Sequence, residues 1–282
     1  MARILACVDG SAYAESVADC AAYAAKGLSA DVELLHVLGR RDAPSRDFSG
    51  RVGFEGRSQL LERLSALDEE RFRLLQQSGR LALDALRERL AAAGAPNVHA
   101  TLRTGDLLEE IAARESEADL LVIGKRGEAS DYARLHLGSN LERVIRASTL
   151  PVLVAAKSFR PVERAVIAFD GRSGALKALD AVSRSPLARG VAFTVVTAGE
   201  RTGEARRMLE SALSLLRAGG LEAEGRIVPG EPATVIGAAV EETGAGLLVM
   251  GAYGHSRLRS LVVGSVTAEL INGCRVPALV HR

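Results

Sequence analysis

The chain lacks the patterns that would declare a chemistry outright. Its 282 residues contain no G-x-x-x-x-G-K-[S/T] phosphate loop, no G-x-S-x-G elbow, no H-E-x-x-H pair and no cysteine–histidine metal spacing. The recognisable routes to P-loop phosphoryl transfer, serine hydrolysis and zinc chemistry are therefore missing. Net charge is only +1, from 36 basic and 35 acidic residues, so no long-range field recruits nucleic acid or an anionic membrane. Lysine is confined to Lys26, Lys125, Lys157 and Lys177, and arginine, suited to ion pairs on helix surfaces, carries nearly all the positive charge. The cysteines, Cys7, Cys20 and Cys274, are odd in number, lack CxxC spacing and lie in apolar strand or helix patterns, which fits a reduced cytosol. No apolar run approaches the roughly 20 residues of a membrane span. The first residues enter a strand without the zones of a signal peptide. A soluble cytoplasmic protein is expected.

What the chain does have is a module written twice. The apolar run Leu247 to Met250 leads into Gly251 and Gly254, then nine residues, then Gly264 and Ser265. Leu120 to Ile123 likewise leads into Gly124 and Gly127, then ten residues, then Gly138 and Ser139. Two glycines at a strand's end, and a third with a hydroxyl where a helix begins, let backbone amides approach phosphates.

Short apolar strands alternate with helical spacing along both halves. The first half offers strands at Ile4 to Val8, Asp31 to Leu38, Val98 to Leu102, Leu120 to Ile123 and Pro151 to Ala155, with helices over Gly79 to Ala93, Leu107 to Ala113 and Leu141 to Ala147. The second repeats the order from Ala165 to Phe169 through Pro277 to Val280. Apolar strands between amphipathic helices predict parallel sheets covered on both faces, that is, two tandem doubly wound α/β domains. The expected division is 1–158 and 159–282, with a short linker near Lys157 to Arg160. The first half is longer by an insertion at about 39–77. It begins turn-rich and then carries Leu60, Leu61, Leu64, Leu67 and Phe72 among charges, which reads as an extra helix with an apolar stripe or as a solvated excursion.

These features together resemble the universal stress protein family, in its tandem two-domain form. The resemblance rests on Asp9-Gly10 and Asp170-Gly171 after the first strands, Leu35-His36-Val37 on the second, Gly105-Asp106 and Gly230-Glu231-Pro232 after the third, and the glycine loops after the fourth. The ATP-binding form of the family carries G-x-x-G, nine residues and G-S/T, which Gly251, Gly254, Gly264 and Ser265 reproduce; the first-half loop departs by one residue. The resemblance implies five-stranded sheets of order 3-2-1-4-5, with a ligand across the strands' carboxyl ends. It also implies that equivalent edge strands meet about a two-fold axis, so that a tandem chain forms a pseudo-dimer within itself, with homodimerisation open.

The implied adenine-nucleotide site takes Asp170, Thr197, Met250, Gly251, Gly254, His255, Gly264, Ser265, Val266 and Thr267 in the second half. The first half offers Asp9, Val37, Ile123, Gly124, Gly127, Gly138, Ser139 and Asn140. Each has a plainer reading beside the ligand one. Glycines serve turns, Ser265 and Thr267 serve helix capping, and Asp-Gly is a turn that caps the next helix. His36 on a buried strand reads as a structural group. Lys125 and Arg126 add charge that phosphates could use, or are solvated. The cofactor expected is ATP, with or without magnesium. No catalytic pair accompanies the phosphate site, so the expectation is a stress-response regulator that binds ATP and hydrolyses it slowly or not at all. The alternatives are a nucleotide-independent interaction module using residues 56–77, with an unnamed protein partner, and an adenylate-processing enzyme.

Overall fold

The computed structural model describes residues 2–39, 57–127, 138–252 and 264–282. The first half runs β1 (Arg3–Val8), α1 (Ala14–Leu28), β2 (Asp31–Gly39), α2 (Arg57–Ala92), β3 (Val98–Gly105), α3 (Leu107–Ala112), β4 (Leu120–Gly124), α4 (Ser139–Ala147) and β5 (Val152–Ala155). The second runs β6 (Arg164–Ala168), α5 (Ser173–Arg184), β7 (Ala192–Ala198), α6 (Gly203–Ala218), β8 (Glu222–Val228), α7 (Pro232–Glu242), β9 (Leu247–Gly251), α8 (Ser265–Gly273) and β10 (Ala278–His281). Several helix starts are written into the sequence. Asp106 accepts the backbone N–H groups of Leu108 and Glu109, and Glu231 accepts that of Thr234 with Pro232 as the first helical residue, so orphan donors are capped at both turns after the third strands.

The strands form one sheet in the order β3-β2-β1-β4-β5-β10-β9-β6-β7-β8. Each half keeps the order 3-2-1-4-5, but the expectation of two separate five-stranded sheets is corrected. β5 and β10 pair antiparallel, Val152 with Val280, Leu153 with Leu279 and Val154 with Ala278, and every other pairing is parallel. The cause is the open edge that each half presents, since unpaired N–H and C=O groups on a buried apolar strand are satisfied by the other half's equivalent strand.

The two sheet faces are covered differently. On the side of α3, α4, α7 and α8 one continuous core joins Ile123, Leu141 and Val154 to Met250, Ile271 and Val280. On the other side one cluster lies under α1 and α2 and another under α5 and α6. The insertion resolves into a single helix: α2 is continuous over 36 residues, with Leu83, Leu86 and Leu90 buried and Leu60, Leu64, Leu67 and Leu74 exposed.

Candidate functional site

In the second half, strand order reverses between β6 and β9, whose neighbours continue in opposite directions. Ligands of open α/β sheets bind in the crevice at such a point, beyond the carboxyl ends of the strands. Asp170 follows β6 at this position. One of its carboxylate oxygens accepts the N–H of Arg172 at 3.0 Å and the other pairs with the Arg172 guanidinium at 3.4 Å, so the Asp-Gly turn and the local charge are settled by the same neighbour. Gly171 adopts φ +72, which favours glycine there. Thr197, near the end of β7, has a buried hydroxyl oxygen with no hydrogen-bond partner among the described residues.

Gly251 ends β9, and a side chain there is excluded by protein rather than by ligand. A Cβ would lie 2.6 Å from the carbonyl carbon of Gly174 and 2.8 Å from the nitrogen of Ala175, because the start of α5 crosses the strand end at backbone contact. Met250 is buried in the core below. Gly264 is the N-cap of α8, at φ −55 and ψ 139, with no side-chain capping bond. A nine-residue helix thus begins at Ser265 with its positive dipole end uncapped by any side chain of its own cap residue, the arrangement that suits an anion. Ser265 is exposed and Val266 half-buried. Thr267 is buried, and its hydroxyl donates to the Ala252 carbonyl at 3.0 Å, tying the helix to the strand it follows. Gly254 and His255 lie outside the described residues.

The first half has the same frame with different contents. α4 is capped by Gly138 at φ −54 and ψ 134, again without a side-chain bond. Here, however, the Gly138 N–H donates to the Lys125 carbonyl at 3.4 Å. The Asp9 carboxylate, which accepts the Ser11 N–H at 3.0 Å, has its other oxygen 2.7 Å from where a Gly127 Cβ would stand. A negative charge therefore already lies against the glycine loop. Gly124 is held by Tyr13, whose Cβ is 2.8 Å from the position a Gly124 Cβ would take. Ile123 is buried, Val37 half-buried and Asn140 exposed, and the backbone of Ser139 opens α4.

Lys125 departs from both readings of a loop charge. It is buried, and its ammonium donates to the carbonyl of Cys274 at the end of α8 in the other half. Burial lowers its pKa to about 8, with the nearby Arg126 guanidinium adding to the effect. His36 is buried beneath α2, with its Nδ1 3.2 Å from where a Gly79 Cβ would stand. Sequence reasoning missed the Lys125 bridge and the pressure of α5 on Gly251. The run Ser173-Gly174-Ala175, small residues at a helix start, was the available signal for the second.

The profile of the universal stress protein family matches residues 1–156 and again residues 162–282. The chain belongs to the universal stress protein family. The family match repeats, as the glycine loops do, and the chain is 32% identical over 287 residues to Universal stress protein Slr1230 of Synechocystis sp., with all of both chains covered. The fold is shared with a solved universal stress protein of Archaeoglobus fulgidus at TM-score 0.71 and 21% identity, covering 99% of this chain and 98% of that one. It is shared also with a solved universal stress protein of Pseudomonas aeruginosa, described as putative, at TM-score 0.65 and 17% identity, covering 99% and 92%. Among the described residues of this universal stress protein, no three His, Cys, Asp or Glu side chains group as a metal site, and no helix is long and apolar enough to cross a membrane.

Proposed function

We propose that this universal stress protein binds one adenine nucleotide, ATP, at the carboxyl ends of β6 and β9, and that occupancy regulates its contacts rather than driving fast catalysis. The observation that carries the reading is the start of α8. Its glycine cap supplies no oxygen to the first-turn amides, and it stands at the reversal of strand order in the half whose loop keeps the nine-residue spacing. Polyphosphate is the ligand chemistry that such amides and dipole favour. Magnesium would enter with the phosphates, for no group of acidic side chains among the described residues gathers to hold it first. Amides of this kind hold phosphate well, whereas transfer also needs a positioned nucleophile and charge placed on the leaving group.

Several contacts disfavour the first half. Asp9 brings a carboxylate against Gly127, Gly138 has its N–H engaged, and Lys125 is turned away into the other half. One nucleotide per chain is the expected stoichiometry. Native mass spectrometry of the whole chain with ATP and magnesium should show a single addition, lost in Gly264→Val and retained in Gly138→Val. Binding unchanged by Gly264→Val would defeat the reading. The exposed leucines of α2 support a second reading, a nucleotide-independent interaction module; partner capture lost on deleting residues 56–77, with no ATP bound by the intact chain, would favour it.

A further inference from the structure

Where the halves meet, the α1 and α5 side of the sheet is incompletely filled. The two clusters on that side share Phe159, Leu247 and Leu279 as bordering residues, and between them lies a cavity of about 270 Å³. Leu153 and Leu279, register partners across the seam, line it, together with Phe159 of the linker and Tyr23 of α1. Most of its polar neighbours are already engaged. The Tyr23 hydroxyl donates to the Leu187 carbonyl at 3.3 Å, the Ser185 hydroxyl accepts the Leu187 N–H, Arg184 pairs with Asp180 at 2.6 Å, and Asp119 accepts the backbone N–H of Arg3.

His281 is the exception. It closes β10, two residues after Leu279 and so on the same face of the strand. It is 8% exposed, it lines the cavity, and its buried Nε2 has no hydrogen-bond partner among the described residues. Burial lowers its pKa to about 4, so the ring is neutral at ordinary pH. A neutral imidazole nitrogen either donates or accepts a single bond, and a hydroxyl can answer in either case. A water there would want two to four polar partners, and the other polar groups of the wall are occupied.

We propose that this cavity binds a neutral, mainly apolar alcohol or phenol, its hydrocarbon seated between the halves and its hydroxyl bonded to His281 Nε2. An engineered cavity of about 150 Å³ accepts benzene, so the present volume suits a molecule of roughly ten to twelve non-hydrogen atoms. The site shares no residue with the nucleotide crevice and does not depend on it.

1-Naphthol and naphthalene, which differ by one hydroxyl, are the probes for the full chain. The chain contains no tryptophan, so naphthol fluorescence is free of indole, and naphthalene is read by competition. Wild-type protein should take one naphthol per chain and hold it about fivefold or more tighter than naphthalene, the scale of one buried hydrogen bond. In His281→Phe that preference should vanish. Ala181→Leu, which fills the cavity from α5, should lose both probes while its thermal transition shows an intact fold. Absence of naphthol binding to the wild type, equal affinity for the two probes, or undiminished binding by folded Ala181→Leu would each overturn the proposal. Should Ala181→Leu fail to fold, the wild-type comparison of the two probes decides.

Discussion

At Gly251 the loop backbone and a neighbouring helix compete for the volume of one methyl group. The atoms that a Cβ would meet, 2.6 and 2.8 Å away, belong to the backbone of Gly174 and Ala175, and backbone cannot swing aside as a side-chain end can. Gly251→Ala should therefore displace the start of α5 and cost about 1–3 kcal/mol or more in a urea titration, as overpacking does. Gly237 supplies the control, since it sits inside α7 with nothing within 4 Å of its Cβ position. Gly237→Ala should be neutral or stabilise by about 0.5–1 kcal/mol through helix propensity. Equal effects at both positions would mean that Gly251 is a turn residue and nothing more. The pair also separates stability from ligand chemistry, because Gly251→Ala changes the fold before it touches any phosphate.

The elements themselves were largely legible, because apolar runs of four to nine residues bounded by glycine, proline and aspartate leave little choice of period. β4, β9 and α3 differ by a residue from their sequence-based limits. α2 was read differently, as a helix beginning at Gly79 with a separate piece before it, and the reason is physical. Gly79 is in mid-helix because Leu102 and His36 come within 3.1 and 3.2 Å of its Cβ position, a close approach that one sequence cannot display. Beyond that crossing the helix leaves the sheet, and its leucines change role. Leu67 is 63% exposed while Leu86 is 6% exposed. Leu67→Glu should alter unfolding free energy by no more than about 0.5 kcal/mol, and Leu86→Ala should cost about 2–5 kcal/mol. A large loss from Leu67→Glu would show that the projecting turns are covered in solution. Ion pairs such as Arg73 with Glu69 and Glu70 hold this segment only weakly, at about 0.3–0.5 kcal/mol each.

For the whole molecule the decisive feature is the β5–β10 seam, which turns two repeats into one sheet. Edge pairing between the halves followed from the family resemblance, but Lys125 was invisible to sequence reasoning, since a charge following a strand end reads as solvated loop until the other half is placed over it. Its bond to the Cys274 carbonyl links the first glycine loop to the helix that begins at the second. Its protonation gives a test with a definite sign. Burial lowers the folded pKa from 10.5 to about 8, so between those values the unfolded chain binds a proton that the folded chain has released. Stability from this group is thus present above pH 10.5 and lost as pH falls through 8. Cys7 and Cys20 act oppositely. Burial raises both thiols from 9.0 to about 12, so the unfolded chain sheds protons that the folded chain keeps, and stability declines as pH rises past 9. The two trends overlap, and only a difference isolates the lysine. Relative to Lys125→Met, wild-type protein should gain about 3 kcal/mol of unfolding free energy between pH 8 and 10.5, while both lose stability to the thiols equally. Urea titrations of the two proteins across that window supply the measurement. A difference that stays flat with pH would place the Lys125 ammonium in water, and the polar link across the seam would then be no part of what holds the halves together.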